Sequence, residues 1–403
     1  MNNGYVNNNN VNNNNYVRLA ASFIILINLF MDLTFEDLYN AYLLCLKHKK
    51  NKAGTYTFYN ADLCKNLYSL LTSLNNRTYE PEPSNCYGIT YPAMREIYAA
   101  QFRDRIVQHF YMNEINDILE NELIDNCCAC RLKKGTDYAL KQLKDICIEL
   151  SEKGTKDCYY LKIDLSGYFM SIDRELVSKK FEKLIRENYT GKYKDLLLYL
   201  TPIIFNNNPA ENCYKYTRSD IYEKIPERRI LKPSSPYGMA IGNLTSQAGS
   251  NLNLNDFDHF IIDELNFSNY IRYVDDAIIV SNDKRMLISV IPKIEEKLNK
   301  NHQTLNCKKT KIDTIYHGIP FLGKITYPYG YQKPTKEVIK RTINNAKNIK
   351  VTDENILCKV NSQIGTLKNY NCKKLIRNYD KTLNNDVKNI IYFEEKTNKY
   401  LKT

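Results

Sequence analysis

Two adjacent carboxylates in the stretch YVDD, Tyr273 to Asp276, are the first candidates for chemistry. They lie between two strongly apolar stretches, which indicates a tight turn between two strands. Like charges held side by side repel each other and lower stability unless a cation compensates them. The motif therefore points to a metal site, although an Asp-Asp pair also occurs in ordinary hairpin turns.

A third carboxylate, Asp164, follows the apolar residues LKI in LKIDLSGYFMSID. LKI is typical of a buried strand, which would deliver Asp164 to the edge of a sheet. Together with Asp275 and Asp276 from a hairpin, it could hold two Mg²⁺ ions about 3.5–4 Å apart, with Mn²⁺ as the alternative metal. Two ions at that spacing stabilise the attacking 3′-oxygen and the leaving pyrophosphate in nucleotidyl transfer.

The surrounding sequence predicts the elements that position these carboxylates. Strands are predicted at Cys158–Phe169 and Phe321–Tyr327, and a hairpin at Tyr270–Val280. Thr201–Pro236 is predicted to be a loop or insertion, and the lysine-rich C-terminal region to be mostly helical. Strands and helices mix without a regular βαβ repeat, which predicts an α+β fold. The predicted helices are Phe35–Lys50, Phe58–Leu74, Phe102–Leu123, Tyr138–Leu150, Arg174–Leu200, Asn243–Leu265 and Ile288–Leu298.

Asp164, an aromatic residue five positions later (Phe169), and YVDD further along resemble the palm of reverse transcriptases. The resemblance implies a right-hand polymerase with fingers, a palm built on an antiparallel sheet, and a helical thumb, which copies RNA into DNA. It implies that Asp164 and Asp275 bind the metal ions directly. The backbone carbonyl of Leu165 would assist, and Asp276 would complete the cluster. Phe169 would be a steric gate whose ring excludes a 2′-hydroxyl; the alternative is an ordinary core aromatic.

Two upstream stretches, PAMREIYAAQFRDRIVQH and CACRLKKGTDYAL, resemble finger segments of bacterial reverse transcriptases. There, Arg95, Arg131 and Lys134 would face phosphates of the template or the incoming nucleotide. Ordinary surface charge is the alternative. The tight group Cys127, Cys128 and Cys130 lacks a second CxxC pair and a nearby His, which argues against a zinc site.

Downstream matches follow in the family's order. LNCKKTKI matches a lysine-bearing turn, with Lys309 as a candidate proton donor to pyrophosphate. Phe321, Leu322 and Gly323 match the primer grip, and the basic C-terminal region resembles a thumb that tracks the duplex backbone. The implied domains are 31–157 for the N-terminal helices and fingers, 158–323 for the palm with an insertion at about 201–236, and 324–403 for the thumb.

The stretch IGNLTSQ is similar to the signature of diversity-generating retroelement reverse transcriptases. It would place Ile241, Gly242 and Gln247 at the nucleotide or template base. Ile241 cannot form the hydrogen bonds of the usual Gln, so discrimination opposite template adenines would relax. Ala240 and Asn369 depart from the family, which usually has Pro and commonly His at these places. A defence-associated or retron-type reverse transcriptase is the nearest alternative, and an RNA-binding module with a decayed palm is the other.

The asparagine-rich opening Asn2–Ala20 resembles the translated end of an adenine-rich template repeat of such an element. The hypothesis is that residues 1–30 are a translated extension and that the working protein starts at Met31. An ordinary disordered tail is the alternative. The apolar run Leu19–Met31 is too short to span a bilayer and lacks signal-peptide features.

Composition agrees with a nucleic-acid enzyme without requiring one. Lys and Arg outnumber Asp and Glu by 57 to 45, and this excess attracts polyanions. Twelve scattered cysteines indicate reduced thiols in a soluble, cytoplasmic protein that does not enter a membrane. The family resemblance implies template RNA, a DNA or RNA primer, dNTPs and a small, basic, oligomeric accessory protein as partners.

Overall fold

The computed structural model describes residues 33–47, 62–91, 93–352, 355–368, 373–394, 397 and 399–402. They form two compact units. The first contains the described residues up to Ile124, together with Leu165–Phe260 and Lys297–Thr304. The second contains Asp125–Asp164, Ile261–Glu296 and the described residues from Leu305 onward. No helix in these described ranges is both long enough and apolar enough to cross a bilayer.

The first unit combines helices with one three-stranded sheet. In this sheet β1 (Ser84–Ile89) pairs antiparallel with β2 (Arg95–Ala99) and parallel with β4 (Cys213–Lys215), so the order is β2-β1-β4. Its elements are α1 (Phe35–Leu46), α2 (Leu63–Asn75), β1 (Ser84–Ile89), β2 (Arg95–Ala99), α3 (Phe102–Glu122), α5 (Tyr168–Ser171), α6 (Arg174–Asn188), α7 (Lys194–Phe205), β4 (Cys213–Lys215), α8 (Ser219–Tyr222), the 3₁₀ turn Glu227–Arg229, α9 (Leu244–Asn253) and α10 (Asn255–His259).

The two faces of this sheet differ in burial. Successive side chains of a strand point to opposite faces. Cys86 of β1 and Tyr98 of β2 therefore share one face, and both are buried in an apolar cluster with Leu231 and Ala240. The alternate residues of the same strands lie on the other, accessible face.

The second unit contains β-sheets and several helices. Its elements are α4 (Thr136–Leu150), β3 (Tyr159–Ile163), the π-helical turn Phe260–Glu264, β5 (Tyr270–Tyr273), β6 (Asp276–Ser281), α11 (Lys284–Lys300), β7 (Lys311–Thr314), the 3₁₀ turn Ile315–His317, β8 (Ile319–Phe321), β9 (Lys324–Thr326), β10 (Gln332–Pro334), α12 (Lys336–Lys347), α13 (Ile356–Lys368), α14 (Lys373–Thr382), α15 (Asn385–Lys388), β11 (Ile391–Glu394) and β12 (Lys399–Lys402). Phe260 and the end of α11 from Lys297 onward belong to the first unit. The main sheet is antiparallel and four-stranded, with the order β5-β6-β3-β7. Strands β10-β9-β8 form a second sheet, and β11 pairs with β12.

The core of the second unit explains why β3 and β6 form its centre. Four consecutive residues of β6, from Ala277 to Val280, are buried, as expected for a strand covered on both faces. Helix α4 contributes Leu143 and Cys147, one helical turn apart, to the same apolar cluster as Tyr160 of β3. The carboxylates at the ends of these strands are thus held by a well-packed frame.

The structure confirms the predicted α+β class, and several elements differ from the predictions. The strand predicted at Cys158–Phe169 ends at Ile163, because the chain turns through Gly167 at φ 62°. The strand predicted at Phe321–Tyr327 is the β8–β9 hairpin, since Leu322 and Gly323 have φ of 48° and 80°. The predicted Thr201–Pro236 loop supplies β4, and the C-terminal region adds the β11–β12 hairpin.

The predicted helices agree with the structure to different extents. The helices predicted at Phe102–Leu123, Tyr138–Leu150 and Ile288–Leu298 are confirmed as α3, α4 and α11. The helix predicted at Arg174–Leu200 is two helices, α6 and α7, and Asn243–Leu265 is divided among α9, α10 and the π-helical turn. Several segments named in the sequence predictions lie outside the described residues. They are Asn2–Ala20, Leu19–Met31, Pro92, Asn369 and the ends of two predicted helices (48–50 and 58–61).

Candidate active site

The sheet register brings Asp164 and Asp276 to the same end of the two central strands. Ile163 of β3 pairs with Ala277 of β6 in an antiparallel register, so the next residues outward are Asp164 and Asp276. Asp275 lies in the two-residue turn that joins β5 to β6. All three carboxylates belong to the second unit. Residues more than a hundred positions apart in sequence are therefore gathered at one sheet end.

Burial and neighbouring negative charge make the carboxyl groups of Asp275 and Asp276 hard to ionise. Burial raises the pKa of Asp275 to about 6, and the neighbouring charges of Asp276 and Asp164 act in the same direction. The pKa of Asp276 is also raised, first by burial; Lys162 opposes this rise and Asp164 adds to it. Such a group of carboxylates gains stability from any cation placed among them.

Two lysines and one asparagine partly compensate this charge. The Nζ of Lys309 lies 2.9 Å from Oδ2 of Asp164, and the Nζ of Lys162 lies 3.7 Å from Oδ1 of Asp276. The side-chain amide of Asn306 donates to Oδ1 of Asp164 at 2.7 Å, and its backbone N–H donates to the Asp164 carbonyl at 2.8 Å. Asp164, which is 7% exposed, is therefore fixed from two sides.

The ammonium of Lys309 is accessible although it is paired with Asp164. Its side chain is 65% exposed, whereas the Asp164 side chain is 10% exposed. The same ammonium could therefore move to a phosphate oxygen that arrives beside Asp164. Lys309 therefore lies beside the carboxylates, and its role as a proton donor stays a prediction.

The turn that carries Asp275 is strained. Val274 has a φ of 59°, a left-handed conformation that costs a β-branched residue about 1–3 kcal/mol. The guanidinium of Arg272 donates to the Val274 carbonyl at 3.0 Å and to Sγ of Cys127 at 3.2 Å. Arg272 is only 1% exposed, and its backbone bonds with Asn126 and Cys128. A buried arginine therefore holds the turn, and Cys127 serves as one of its partners.

The donor atoms fit Mg²⁺, but the side chains do not form a closed cage. Carboxylate oxygens are the ligands that Mg²⁺ prefers. Within the part of the chain that the structure describes, no group of three His, Cys, Asp or Glu side chains is close enough to enclose a metal. Mg²⁺ is usually held by one or two carboxylates plus substrate phosphates. Asp164, Asp275 and Asp276 fit that kind of shared site.

The first unit holds the predicted gate and nucleotide residues together. The carbonyl of Phe169 on α5 accepts a hydrogen bond from Met239 N–H at 2.7 Å, and the carbonyl of Ile241 accepts one from Tyr98 N–H at 2.8 Å. The loop from Tyr237 to Gly242 therefore connects the gate residue to strand β2. The half-buried Phe169 ring packs edge-on against Tyr168, with centroids 5.6 Å apart.

Gly242 is required by its position in this loop. Its φ is 128°, and a Cβ there would overlap the carbonyl oxygen of Tyr98 and lie 3.0 Å from Cγ2 of Ile97. Only glycine allows the loop to lie this close to β2. Gln247 follows on α9 with its side chain exposed.

The three predicted phosphate contacts have different surroundings. Arg95 lies on the accessible face of β2 in the first unit. In the second unit, Arg131 donates to the Cys127 carbonyl at 3.0 Å, and the ammonium of Lys134 lies 2.8 Å from the Asp125 carboxylate. The Lys134 side chain is only 11% exposed. In the structure these last two cations stabilise the loop before α4.

The three residues predicted as a primer grip divide between core and turn. Phe321 is 1% exposed and belongs to the same apolar cluster as Tyr160. Leu322 and Gly323 form the turn of the β8–β9 hairpin, and the Gly323 carbonyl accepts the N–H of Thr335 at 2.9 Å. Any contact with a primer would therefore involve the turn rather than the Phe321 ring.

Four residues that support the predicted site residues or their loops were not predicted from the sequence. They are Lys162 and Asn306, which contact the carboxylates, and two buried arginines that hold loops, Arg272 and Arg174. Arg174 donates to the carbonyls of Tyr237 at 3.0 Å and Gly238 at 2.7 Å. A signal was present, because each arginine or lysine in YIRYVDD and YYLKID interrupts an apolar run next to a predicted site residue.

Comparison with known proteins identifies the family. Residues 91–326, more than half of the chain, match the family model described as "Reverse transcriptase (RNA-dependent DNA polymerase)". The matched range contains Asp164 and the YVDD turn. No curated protein has a matching sequence.

Three solved telomerase structures are similar to the chain. Apo telomerase from Candida Tropicalis truncated from the C-terminal domain has 13% identity and a TM-score of 0.45, over 62% of this chain and 55% of that chain. Telomerase from Candida albicans with a TWJ fragment of telomeric RNA has 14% identity and a TM-score of 0.43, over 79% of this chain and 58% of that chain. Apo telomerase from Candida Tropicalis has 11% identity and a TM-score of 0.47, over 70% of this chain and 52% of that chain. The matched part covers a little over half of each telomerase.

The family match and the acidic sheet end agree with each other. The match also supports the expected class of fold, in which helices and antiparallel sheets build a polymerase. The chain therefore belongs to the reverse transcriptase family of RNA-dependent DNA polymerases, which are nucleotidyltransferases.

Proposed function

We propose that this protein is an RNA-directed DNA polymerase that extends a DNA or RNA primer with dNTPs on an RNA template. The observation that carries the proposal is the placement of Asp164 opposite Asp276, with Asp275 in the adjacent turn, inside the family match. The proposed domains are fingers in 31–157, palm in 158–323 and thumb in 324–403.

The proposed roles combine the family resemblance with the side-chain contacts of Asp164, Asn306 and Lys309. Asp164 and Asp275 would hold two Mg²⁺ ions, assisted by Asp276 and the Leu165 carbonyl. When bound, the ions would neutralise charge on the attacking 3′-oxygen and the leaving pyrophosphate. Asn306 keeps Asp164 oriented. Lys309 would exchange its ion pair with Asp164 for the pyrophosphate and donate a proton to it.

Phe169 is proposed to select the sugar of the incoming nucleotide. Its carbonyl accepts a hydrogen bond from Met239 N–H, and its half-buried ring packs edge-on against Tyr168. Phe169→Ala is therefore expected to lower the preference for dNTPs over rNTPs by about tenfold or more, because a steric exclusion is removed. The ratio of kcat/KM for matched dNTP and rNTP measures this effect, with Phe257→Ala as a control for loss of a buried ring elsewhere in the first unit. An unchanged ratio in Phe169→Ala would assign the ring to the core.

We further propose that the enzyme is of the diversity-generating retroelement type and makes errors at template adenines. The support is the IGNLTSQ stretch and the position of Ile241, whose backbone is fixed to β2 while its side chain offers no hydrogen bond. Without such a bond, discrimination between correct and incorrect pairs depends on shape alone and weakens. A small, basic, oligomeric accessory protein is the proposed partner.

The error spectrum tests this proposal. The wild-type enzyme should copy an RNA containing all four bases with misincorporation concentrated at adenines, and Ile241→Gln should reduce those errors several-fold. Sequencing of the cDNA gives the error rate for each template base. The control is the conservative Ile241→Leu, which should retain the errors. Ile271→Gln cannot serve as a control, because it would bury a polar side chain in a strand.

Other error patterns would change the assignment. Uniformly faithful or untemplated cDNA from the wild-type enzyme would contradict the retroelement type and favour a defence-associated or retron-type reverse transcriptase. A second template, transcribed from the DNA that encodes Asn2–Ala20 and its flank, tests whether that run is a translated template repeat. The hypothesis requires a near-copy elsewhere in the genome that differs at adenines.

A further inference from the structure

Three tyrosines form an exposed patch on the accessible face of the sheet of the first unit. Tyr87 on β1, Tyr214 on β4 and Tyr216 just beyond β4 are 39%, 55% and 63% exposed. The rings of Tyr87 and Tyr216 stack on each other, with centroids 5.5 Å apart and an interplanar angle of 20°. We call these three residues the tyrosine platform. Large aromatic rings that are grouped in this way on an exposed surface often mark a binding site.

The sheet register places the platform on the same face as Arg95. Tyr87 pairs with Ile97 and Ile89 pairs with Arg95 in the antiparallel β1–β2 ladder, and Asn85 pairs with Tyr214 in the parallel β1–β4 ladder. Residues paired across strands share a face. Every residue of these three strands is described, and their accessible face carries no Asp or Glu.

The platform is rigid because its backbone and its neighbours are fixed. Tyr216 N–H donates to the Cys86 carbonyl at 3.0 Å, and Gly88 N–H donates to Oγ1 of Thr217 at 2.9 Å. The hydroxyl of Tyr222 donates to the same Cys86 carbonyl at 2.8 Å. The segment that the sequence predicts to be a loop thus positions two of the three rings.

We propose that the tyrosine platform binds single-stranded RNA by stacking its bases, with Arg95 contacting a phosphate. Every base has a π-face that can stack on an aromatic ring, and a cationic surface attracts the backbone. The distance from β4 across β1 to β2 is about 10 Å, which is the length of about three stacked nucleotides. At the β2 edge lies Ile241, bonded to Tyr98. The inference rests on the proposed function, in that the RNA would be template strand not yet copied.

Binding of RNA without synthesis tests this proposal. The full chain is titrated, in a chelator and without dNTPs, against a fluorescent unstructured RNA oligonucleotide, and anisotropy gives Kd. The double variant Tyr214→Ala/Tyr216→Ala should raise Kd by about tenfold for each stacked base lost. Because stacking releases few counterions, the deficit should persist as salt is raised. Affinity for a blunt RNA duplex, whose bases are not available, should be unchanged.

Matched variants separate stacking from other causes. Tyr214→Phe/Tyr216→Phe keeps the rings and should bind like the wild type. Tyr68→Ala removes a 60% exposed tyrosine from α2 in the same unit and should also leave Kd unchanged. Ultraviolet cross-linking should attach RNA to peptides that contain Tyr87 or Tyr216.

Two results would overturn the proposal. One is an unchanged Kd in the double Ala variant, which would assign the patch to a protein partner. The other is an equal loss of RNA affinity in the double Phe variant, which would indicate contacts by the hydroxyl groups. The assay is independent of catalysis. A wild-type chain that binds RNA through the tyrosines but makes no DNA would refute the proposed polymerase and not the platform. Normal DNA synthesis together with RNA binding that does not depend on the tyrosines would refute the platform and not the proposed polymerase.

Discussion

Asp275→Asn is expected to abolish DNA synthesis, with a loss of at least about 1,000-fold. The proposed role of Asp275 is to hold a metal ion, which would stabilise transition-state charge by several kcal/mol, and each 1.36 kcal/mol corresponds to a factor of ten in rate. Asp164→Asn should have the same effect, because Asp164 lies at the same sheet end. Primer extension on an RNA template, with single-turnover rates, measures the loss.

The same variant should not lose stability. Burial and two neighbouring carboxylates raise the pKa of Asp275, which means that its charge is unfavourable in the folded chain. In a buffer without divalent cations at neutral pH, the Tm of Asp275→Asn should equal or exceed that of the wild type. Asp137→Asn, at an exposed carboxylate of the same unit, should change neither synthesis nor Tm appreciably. Extension by Asp275→Asn at near wild-type rate would refute the assigned metal ligands.

Gly242→Ala is expected to lower kcat/KM for dNTP addition by about 100-fold. The added methyl would overlap the Tyr98 carbonyl oxygen, at a backbone φ of 128° that alanine rarely adopts. The loop would have to move away from β2, and the bond from Tyr98 N–H to the Ile241 carbonyl would lengthen or break. A displacement of about 1 Å at a substrate-positioning residue can cost about 100-fold in rate.

A glycine elsewhere provides the matched control for this loss. Gly365 lies within α13, where no atom is near the position of a new Cβ. Gly365→Ala should therefore keep full activity and gain about 0.4–1 kcal/mol of stability, because alanine is favoured in a helix. Circular dichroism checks that Gly242→Ala still folds. Wild-type kcat/KM in a folded Gly242→Ala would show that the loop position does not matter for the nucleotide.

The sequence by itself determined the family, the three carboxylates and the elements whose apolar periodicity is strong. The buried residues of helices α3 and α4 recur at helical spacing, and the hairpin that carries YVDD is built from mostly apolar strands, so these elements were predictable. Short motifs also predicted that Asp164 follows a buried strand and that Asp275 lies in a hairpin turn, and the register places them there. Their roles as metal ligands stay predictions. Fingers, palm and thumb boundaries remain predictions, as does the accessory protein.

Only the tertiary structure decided the contacts that depend on residues distant in sequence. The partnership of Asn306 with Asp164 and of Arg272 with Val274 and Cys127 depends on how strands and loops meet, which no local period encodes. The strand β4 was predicted as loop because its three residues gain their order from pairing with β1 rather than from their own propensity. The tyrosine platform follows from that same pairing. Local periodicity specifies an element, whereas the register between elements specifies a site.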